Sequence, residues 1–182
     1  MKIGIDIDDT LTNTKEAQLK YWEQYYLNNP QKGYTKKIPK TINDFGDDYV
    51  QLFWDTYRQE LSFETTFKKD VSKILHELIN EGHSLYIITS RPDKKYNDLH
   101  KQLKEWFSKN DIPIFEIYTN IRDKGEFCKN NKIDLFIDDD IKHIEKANKY
   151  NIKTILFNKN KNYKGLQTTS WKKIKSIIKS TN

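Results

Sequence analysis

The chain has 182 residues, 32 Lys and Arg against 26 Asp and Glu for a net charge of +6, 36% hydrophobic residues and a mean hydropathy of -0.90. That length suits one α/β domain with an insertion better than two independent domains, and no apolar run approaches the roughly 20 residues needed to span a bilayer. One cysteine, Cys128, excludes an intramolecular disulfide and fits a reducing compartment. The first apolar stretch is cut by Asp6, Asp8 and Asp9, so it does not read as a signal peptide and a cytoplasmic location is expected.

Charge is unevenly spread. From Lys142 onward eleven lysines face a single acid, Glu145. A basic end can attract nucleic acid or another polyanion. No aromatic-interleaved motif accompanies these lysines, so solvated helix faces are their expected role and nucleic acid is not an expected partner.

Residues 2–7 (KIGIDI) form a short run with Ile3, Ile5 and Ile7 alternating against Gly4 and Asp6, which predicts a strand ending in acids. Residues 14–28 carry Leu19, Trp22, Tyr26 and Leu27 at helical spacing. Pro30, Gly33 and Pro39 punctuate the next stretch, and a second helix is predicted over 47–60 through Tyr49, Leu52, Phe53 and Tyr57. From residue 68 the pattern becomes regular. A helix over 69–81 (Val71, Ile74, Leu75, Leu78, Ile79) stops at Gly82. The strand SLYIIT follows, then a helix over 94–109, the strand IFEIYT, a helix over 123–130 and the strand IDLFID. A helix over 141–150, the strand KTILF and a helix over 170–179 complete the order.

Alternating helices and strands with short connections predict an α/β fold with a Rossmann-like parallel sheet and helices on both faces. Residues 15–65 stand outside the alternation and are expected to form a small helical cap inserted after the first strand. Residues 1–14 and 66–182 are then the core.

In an open α/β sheet, ligands bind beyond the carboxyl ends of the strands. The first strand delivers Asp6, Asp8, Asp9 and Thr10 there, SLYIIT delivers Thr89 and Ser90 followed by Arg91, and IDLFID delivers Asp138, Asp139 and Asp140. If the two acidic strand ends are neighbours, their negative charges crowd one rim unless a cation sits among them. Carboxylate oxygens are hard ligands, and a set made of them favours magnesium.

This ordered set resembles the haloacid dehalogenase-like superfamily of phosphatases. The motif DxDx[TV]L stands as Asp6-Ile7-Asp8-Asp9-Thr10-Leu11, the hydroxyl ending the next core strand as Thr89, the lysine before the acidic strand as Lys124, and the DD pair as Asp138-Asp139. The resemblance implies a magnesium-dependent phosphomonoesterase with Asp6 as nucleophile and Asp8 as general acid and base. It also implies Thr89, Ser90 and Lys124 around the phosphate, and a metal held by Asp6, the Asp8 backbone carbonyl and the Asp138/Asp139 pair. Lys129 and Lys132 are rivals to Lys124, Thr89-Ser90 could instead cap the following helix, and Asp140 could be a helix N-cap. Arg91 is left without a role.

The layout is similar to the 5'(3')-deoxyribonucleotidase-like branch, which implies a nucleoside monophosphate or another small phosphorylated substrate. The cap aromatics are Trp22, Tyr25, Tyr26, Phe45, Phe53, Trp54 and Tyr57. Most are expected to build the cap's own core, with Trp22 and Trp54 as candidates for stacking on a base. Two other readings stay open, a nucleic-acid end phosphatase and a non-catalytic phosphate- or magnesium-binding regulatory domain.

Overall fold

The computed structural model describes residues 1–28, 47–114 and 116–180. Phe45 and the proline-punctuated stretch with Pro30, Gly33 and Pro39 lie outside the described residues. The chain divides into two compact units, one made of 1–12 and 67–182, the other of 13–66.

The larger unit contains strands β1 (Lys2–Ile5), β2 (Ser84–Ile88), β3 (Glu116–Tyr118), β4 (Leu135–Asp138) and β5 (Lys153–Leu156). They form one parallel sheet in the order β3-β2-β1-β4-β5. With β1 central, the strand order reverses there, which opens a crevice at the carboxyl ends of β1 and β4. The helices of this unit are α3 (Val71–Asn80), α4 (Leu99–Lys109), α5 (Lys124–Asn130), α6 (Ile141–Lys149) and α7 (Trp171–Ser180), following α1 and α2 in chain order.

The strands alternate cleanly between two buried faces, as parallel strands covered on both sides must. Tyr86, Ile88, Phe136 and Leu156 meet Cys128 of α5 and Ile144 and Ala147 of α6 in one cluster. Ile3, Ile5, Leu85, Ile87, Ile137 and Ile155 are fully buried on the opposite face, beside α3 and α7, which pack together. Each such side chain contributes roughly 1.5–3 kcal/mol of burial.

Helix α5 packs closely on α6, and Gly125 is the reason it can. A Cβ there would lie 2.7 Å from the Lys146 carbonyl carbon and 2.8 Å from the Ala147 nitrogen, atoms of a helical backbone that cannot step aside. The C-terminus of α3 turns at Gly82, whose φ of 84° lies in the left-handed region.

The expected helix over 94–109 is shorter. A single 3₁₀ turn covers Asp93–Lys95, and α4 begins at Leu99 because Asp98 takes a left-handed backbone (φ 61°) and caps the helix by accepting from Lys101 N at 3.1 Å. A residue in that conformation cannot continue a right-handed helix.

The lysines of α7 are not a free basic stripe. Lys175 pairs with Glu77 at 2.5 Å and Glu81 at 3.3 Å, Lys179 with Glu81 at 3.2 Å, and Lys172 with Asp70 at 3.7 Å. Much of this positive charge is matched by acids on α3 and at its two ends.

The smaller unit holds α1 (Thr14–Asn28) and α2 (Asp47–Phe63). Its core is aromatic: Trp22, Tyr25 and Tyr26 of α1 pack with Phe53 and Leu61 of α2. Trp22 meets Phe53 edge-to-face with ring centroids 4.8 Å apart. Leu19 and Leu27, expected on the buried stripe, are instead exposed, as is Leu52. The buried line of α1 runs through 22, 25 and 26, an i, i+3, i+4 set that excludes both leucines. Where this unit begins and ends, Asn13 N donates to the Thr66 carbonyl at 2.9 Å and Asn13 Nδ2 to Thr66 Oγ1 at 2.9 Å.

Replacing Gly125 with Ala is expected to cost about 1–3 kcal/mol by overpacking. Gly82→Ala, where nothing crowds the site, is expected to cost about 1–2 kcal/mol of left-handed strain only. Urea unfolding midpoints with unchanged m-values would report both.

Candidate active site

Asp6 continues the ladder one residue past β1: its backbone N–H donates to the Ile137 carbonyl at 3.0 Å. By strand alternation its side chain shares the sheet face of Gly4, and Asp138 shares that of Phe136. A Cβ on Gly4 would lie 3.2 Å from the Phe136 ring, so the two faces are the same one. It is also the face covered by α5 and α6. Lys124, the first residue of α5, is therefore placed under both acids.

The resulting contacts are tight. Lys124 Nζ donates to Asp6 Oδ1 at 2.5 Å and to Asp138 Oδ2 at 2.8 Å. All three side chains are almost wholly removed from solvent, at 4% exposure for Asp6, 2% for Lys124 and 0% for Asp138. Asp123 caps α5, accepting from Glu126 N at 3.0 Å, and so fixes the turn from which Lys124 projects. The rival Lys129 sits over the Tyr150 ring at 5.1 Å instead.

Asp138 has further partners. His143 Nδ1 lies 3.0 Å from its Oδ2, and the Asp140 N–H donates to its Oδ1 at 2.8 Å. Asp140 itself is the N-cap of α6, accepting from Lys142 N at 2.8 Å.

One ammonium cannot neutralise two buried carboxylates. Burial, and then the nearby charges of Asp138 and Asp8, push the Asp6 carboxyl well above the usual carboxylate range despite Lys124. Burial would raise Asp138 as well, but Lys124 and His143 outweigh it and hold that carboxyl low. Lys124, which burial alone would discharge, is kept protonated by Asp6 and Asp138. The charge left unmatched is that of Asp6.

A further cation answers that imbalance. Asp6, Asp138 and Asp139 each offer a carboxylate oxygen, and these oxygens lie within 4.8 Å of one another. An all-oxygen donor set of this kind fits a hard divalent ion such as magnesium.

Asp8 does not join them. The strand ends at Ile5, and Asp8 sits in the following turn, where Asp9 has φ 58° and Leu11 and Thr12 donate backbone N–H groups to the Ile7 carbonyl. Alternation along a strand therefore does not aim Asp8. Its carboxylate receives a forked pair of hydrogen bonds from Arg91, Nε to Oδ2 at 3.0 Å and Nη2 to Oδ1 at 2.8 Å. Of the expected ligand set, the Asp8 carboxylate is not among the oxygens that gather at Asp6, Asp138 and Asp139.

Thr89 directly follows β2, the strand next to β1; it is buried, and its Oγ1 accepts from Arg91 N at 3.3 Å. Ser90 Oγ donates to the Ile121 carbonyl at 2.8 Å. Neither hydroxyl caps α4, whose cap is Asp98. Trp171 of α7 reaches the turn from another side, with Nε1 donating to the Thr10 carbonyl at 3.1 Å.

In the helical unit, Trp22 is 1% exposed, which removes it as a stacking surface. Trp54 is half-buried, packs on Phe53 and has the Arg58 guanidinium 5.5 Å from its ring centroid.

Sequence reasoning did not assign Arg91, His143 or Trp171 to the site. Arg91 had a signal, its place directly after Thr89-Ser90 at a strand end. His143 also had one, its place in the first turn of the helix after the DD pair, whereas Trp171 had none, because only the packing of α7 brings it in.

Lys124→Met leaves two buried acids without their shared donor. It is expected to lower stability by about 3–5 kcal/mol in metal-free buffer, measured by urea unfolding. A loss below about 1 kcal/mol would show that the two acids need no cation.

No family model matches the chain. A Bacillus cereus protein named "Putative nucleotidase" is 28% identical over an alignment covering 98% of both chains. An Oceanobacillus iheyensis protein also named as a nucleotidase of that standing is 25% identical, covering 88% of this chain and 90% of its own. Among solved structures, a haloacid dehalogenase-like family hydrolase from Streptococcus pneumoniae superposes with a TM-score of 0.69 at 14% identity, covering 97% of each chain.

Proposed function

We propose that this chain, which has the haloacid dehalogenase-like fold, is a magnesium-dependent phosphomonoesterase that works through an aspartyl-phosphate on Asp6. The observation that carries the reading is the convergence of Asp6 and Asp138 on Lys124, with Asp139 alongside, at the carboxyl ends of adjacent central strands.

Asp6 attacks phosphorus through a carboxylate oxygen while the bond from phosphorus to the leaving oxygen breaks. Asp8 gives that oxygen its proton. In the second half a water attacks the phosphorus of the acyl phosphate, Asp8 takes the water's proton, and the bond to Asp6 breaks to restore its carboxylate. Lys124 has three N–H donors. Two go to Asp6 and Asp138, and the third serves a phosphoryl oxygen together with Thr89 Oγ1 and the Ser90 N–H. Asp6, Asp138 and Asp139 would hold the metal through carboxylate oxygens, and Asp8 would add its backbone carbonyl. When bound, magnesium supplies positive charge to the phosphoryl group, so that an anionic nucleophile can approach it.

For the substrate we propose a nucleoside monophosphate of the deoxyribonucleotidase-like kind, supported by the names of the two relatives. Trp54 remains the candidate for contact with the organic part. Among the described residues no helix is long and apolar enough to cross a membrane. The buried free thiol of Cys128, its pKa pushed up to about 12 by burial, suits a reducing cytoplasm, where we place the enzyme. The ion-paired lysines of α7 weigh against docking on nucleic acid.

Phosphate release from p-nitrophenyl phosphate and a panel of nucleoside monophosphates, with magnesium and with chelator, tests the reading. Asp6→Asn is expected to lower kcat by roughly a thousandfold or more with the fold intact. Normal turnover by that variant, freshly purified, would remove Asp6 as nucleophile. A folded wild-type protein that releases phosphate from nothing on the panel would end the phosphatase reading.

A further inference from the structure

We propose that Arg91 is a positioning residue for Asp8, holding its carboxylate in the orientation that the proton transfers require; the inference rests on the phosphomonoesterase reading above. Arg91 is 6% exposed, while the Asp8 side chain is 38% exposed. The anchor is buried, and the acid that it holds keeps an open side.

The guanidinium is itself fixed. Its central carbon lies 5.7 Å from the Trp106 ring centroid, and Trp106 is packed against Phe67 and Phe107, with centroids at 4.6 and 5.2 Å. The backbone of Arg91 is tied at both ends, its N–H to Thr89 Oγ1 and its carbonyl accepting from Asn120 N at 2.9 Å. The same short segment therefore carries the Thr89 hydroxyl and the fork that aims Asp8.

Geometry decides what the fork does. Each carboxylate oxygen has two lone pairs, and the two parallel N–H bonds occupy one on each. The Asp8 side chain is 38% exposed beside that fork, and a leaving oxygen or a water would reach it from the solvent side. Because Asp8 stands in a turn beyond the strand, alternation does not aim it, and two parallel bonds define the carboxylate plane as one point charge would not. An ion pair serving stability alone gains little from burying the arginine while leaving the acid open.

The experiment compares kcat/KM for p-nitrophenyl phosphate, whose phenolate leaves without much help, and for a nucleoside monophosphate, whose alkoxide needs a proton. Wild type, Arg91→Lys, Arg91→Met, Asp8→Asn and the Asp8→Asn/Arg91→Met double variant are measured after circular dichroism. Arg91→Lys keeps the charge beside Trp106 and provides the reading if Arg91→Met does not fold. The expected result is a loss of about 100-fold on the nucleotide but under about fivefold on the aryl ester. In the Asp8→Asn background, loss of Arg91 is expected to cost nothing further on the nucleotide. Equal losses on both substrates, or an added loss on top of Asp8→Asn, overturn the inference while leaving the phosphatase reading standing. A wild-type protein inactive on both substrates overturns the two together.

Discussion

The structure turns on one ammonium group shared by two buried carboxylates. Lys124 lies between Asp6 and Asp138, each within hydrogen-bond distance and each almost wholly shielded from water. Burying two acids and one base is unfavourable unless the geometry is good and a further positive charge completes the balance. That residual imbalance is what makes this cluster of carboxylate oxygens fit a divalent ion. Stability and proposed activity thus draw on the same three side chains.

The fold achieves this arrangement with ordinary parts. Parallel pairing of β1 with β4 brings Asp6 and Asp138 to the same end of the sheet, and alternation turns both toward the face covered by α5 and α6. Gly125 lets α5 approach the backbone of α6 closely enough for Lys124 to come between the acids. His143, presented by α6, gives Asp138 a second donor. Asp6 has no such second partner among these groups, which suits its proposed role as the less quenched acid of the pair.

Around this centre the supports are more specific than the fold demands. Trp171 holds the turn after β1 through the Thr10 carbonyl, and Arg91, stacked by Trp106, holds Asp8 within that turn. Asp6, the proposed nucleophile, is thus aimed by the strand ladder, and Asp8 by side chains. The helical unit contributes a separate aromatic core in which Trp22 is consumed by packing, while Trp54 stays partly open.

The α/β alternation, the polar strand ends and the ordered acids at 6, 8, 138 and 139 were legible in the sequence, because strand and helix periods and the DxD and DD spacings are local properties of the chain. Lys124 could be named but not separated from Lys129 by spacing, since only the packing of α5 decides which lysine points inward. Asp98 could be read as a cap only once its left-handed backbone was seen, and Leu19 and Leu27 followed helical spacing without being buried. Arg91, His143 and Trp171 reach the site from β2's end, α6 and α7. The roles of Arg91 and Trp171 depend on partners 83 and 161 residues away, where packing is settled across the tertiary fold. His143 meets Asp138 only five residues off, through the turn into α6.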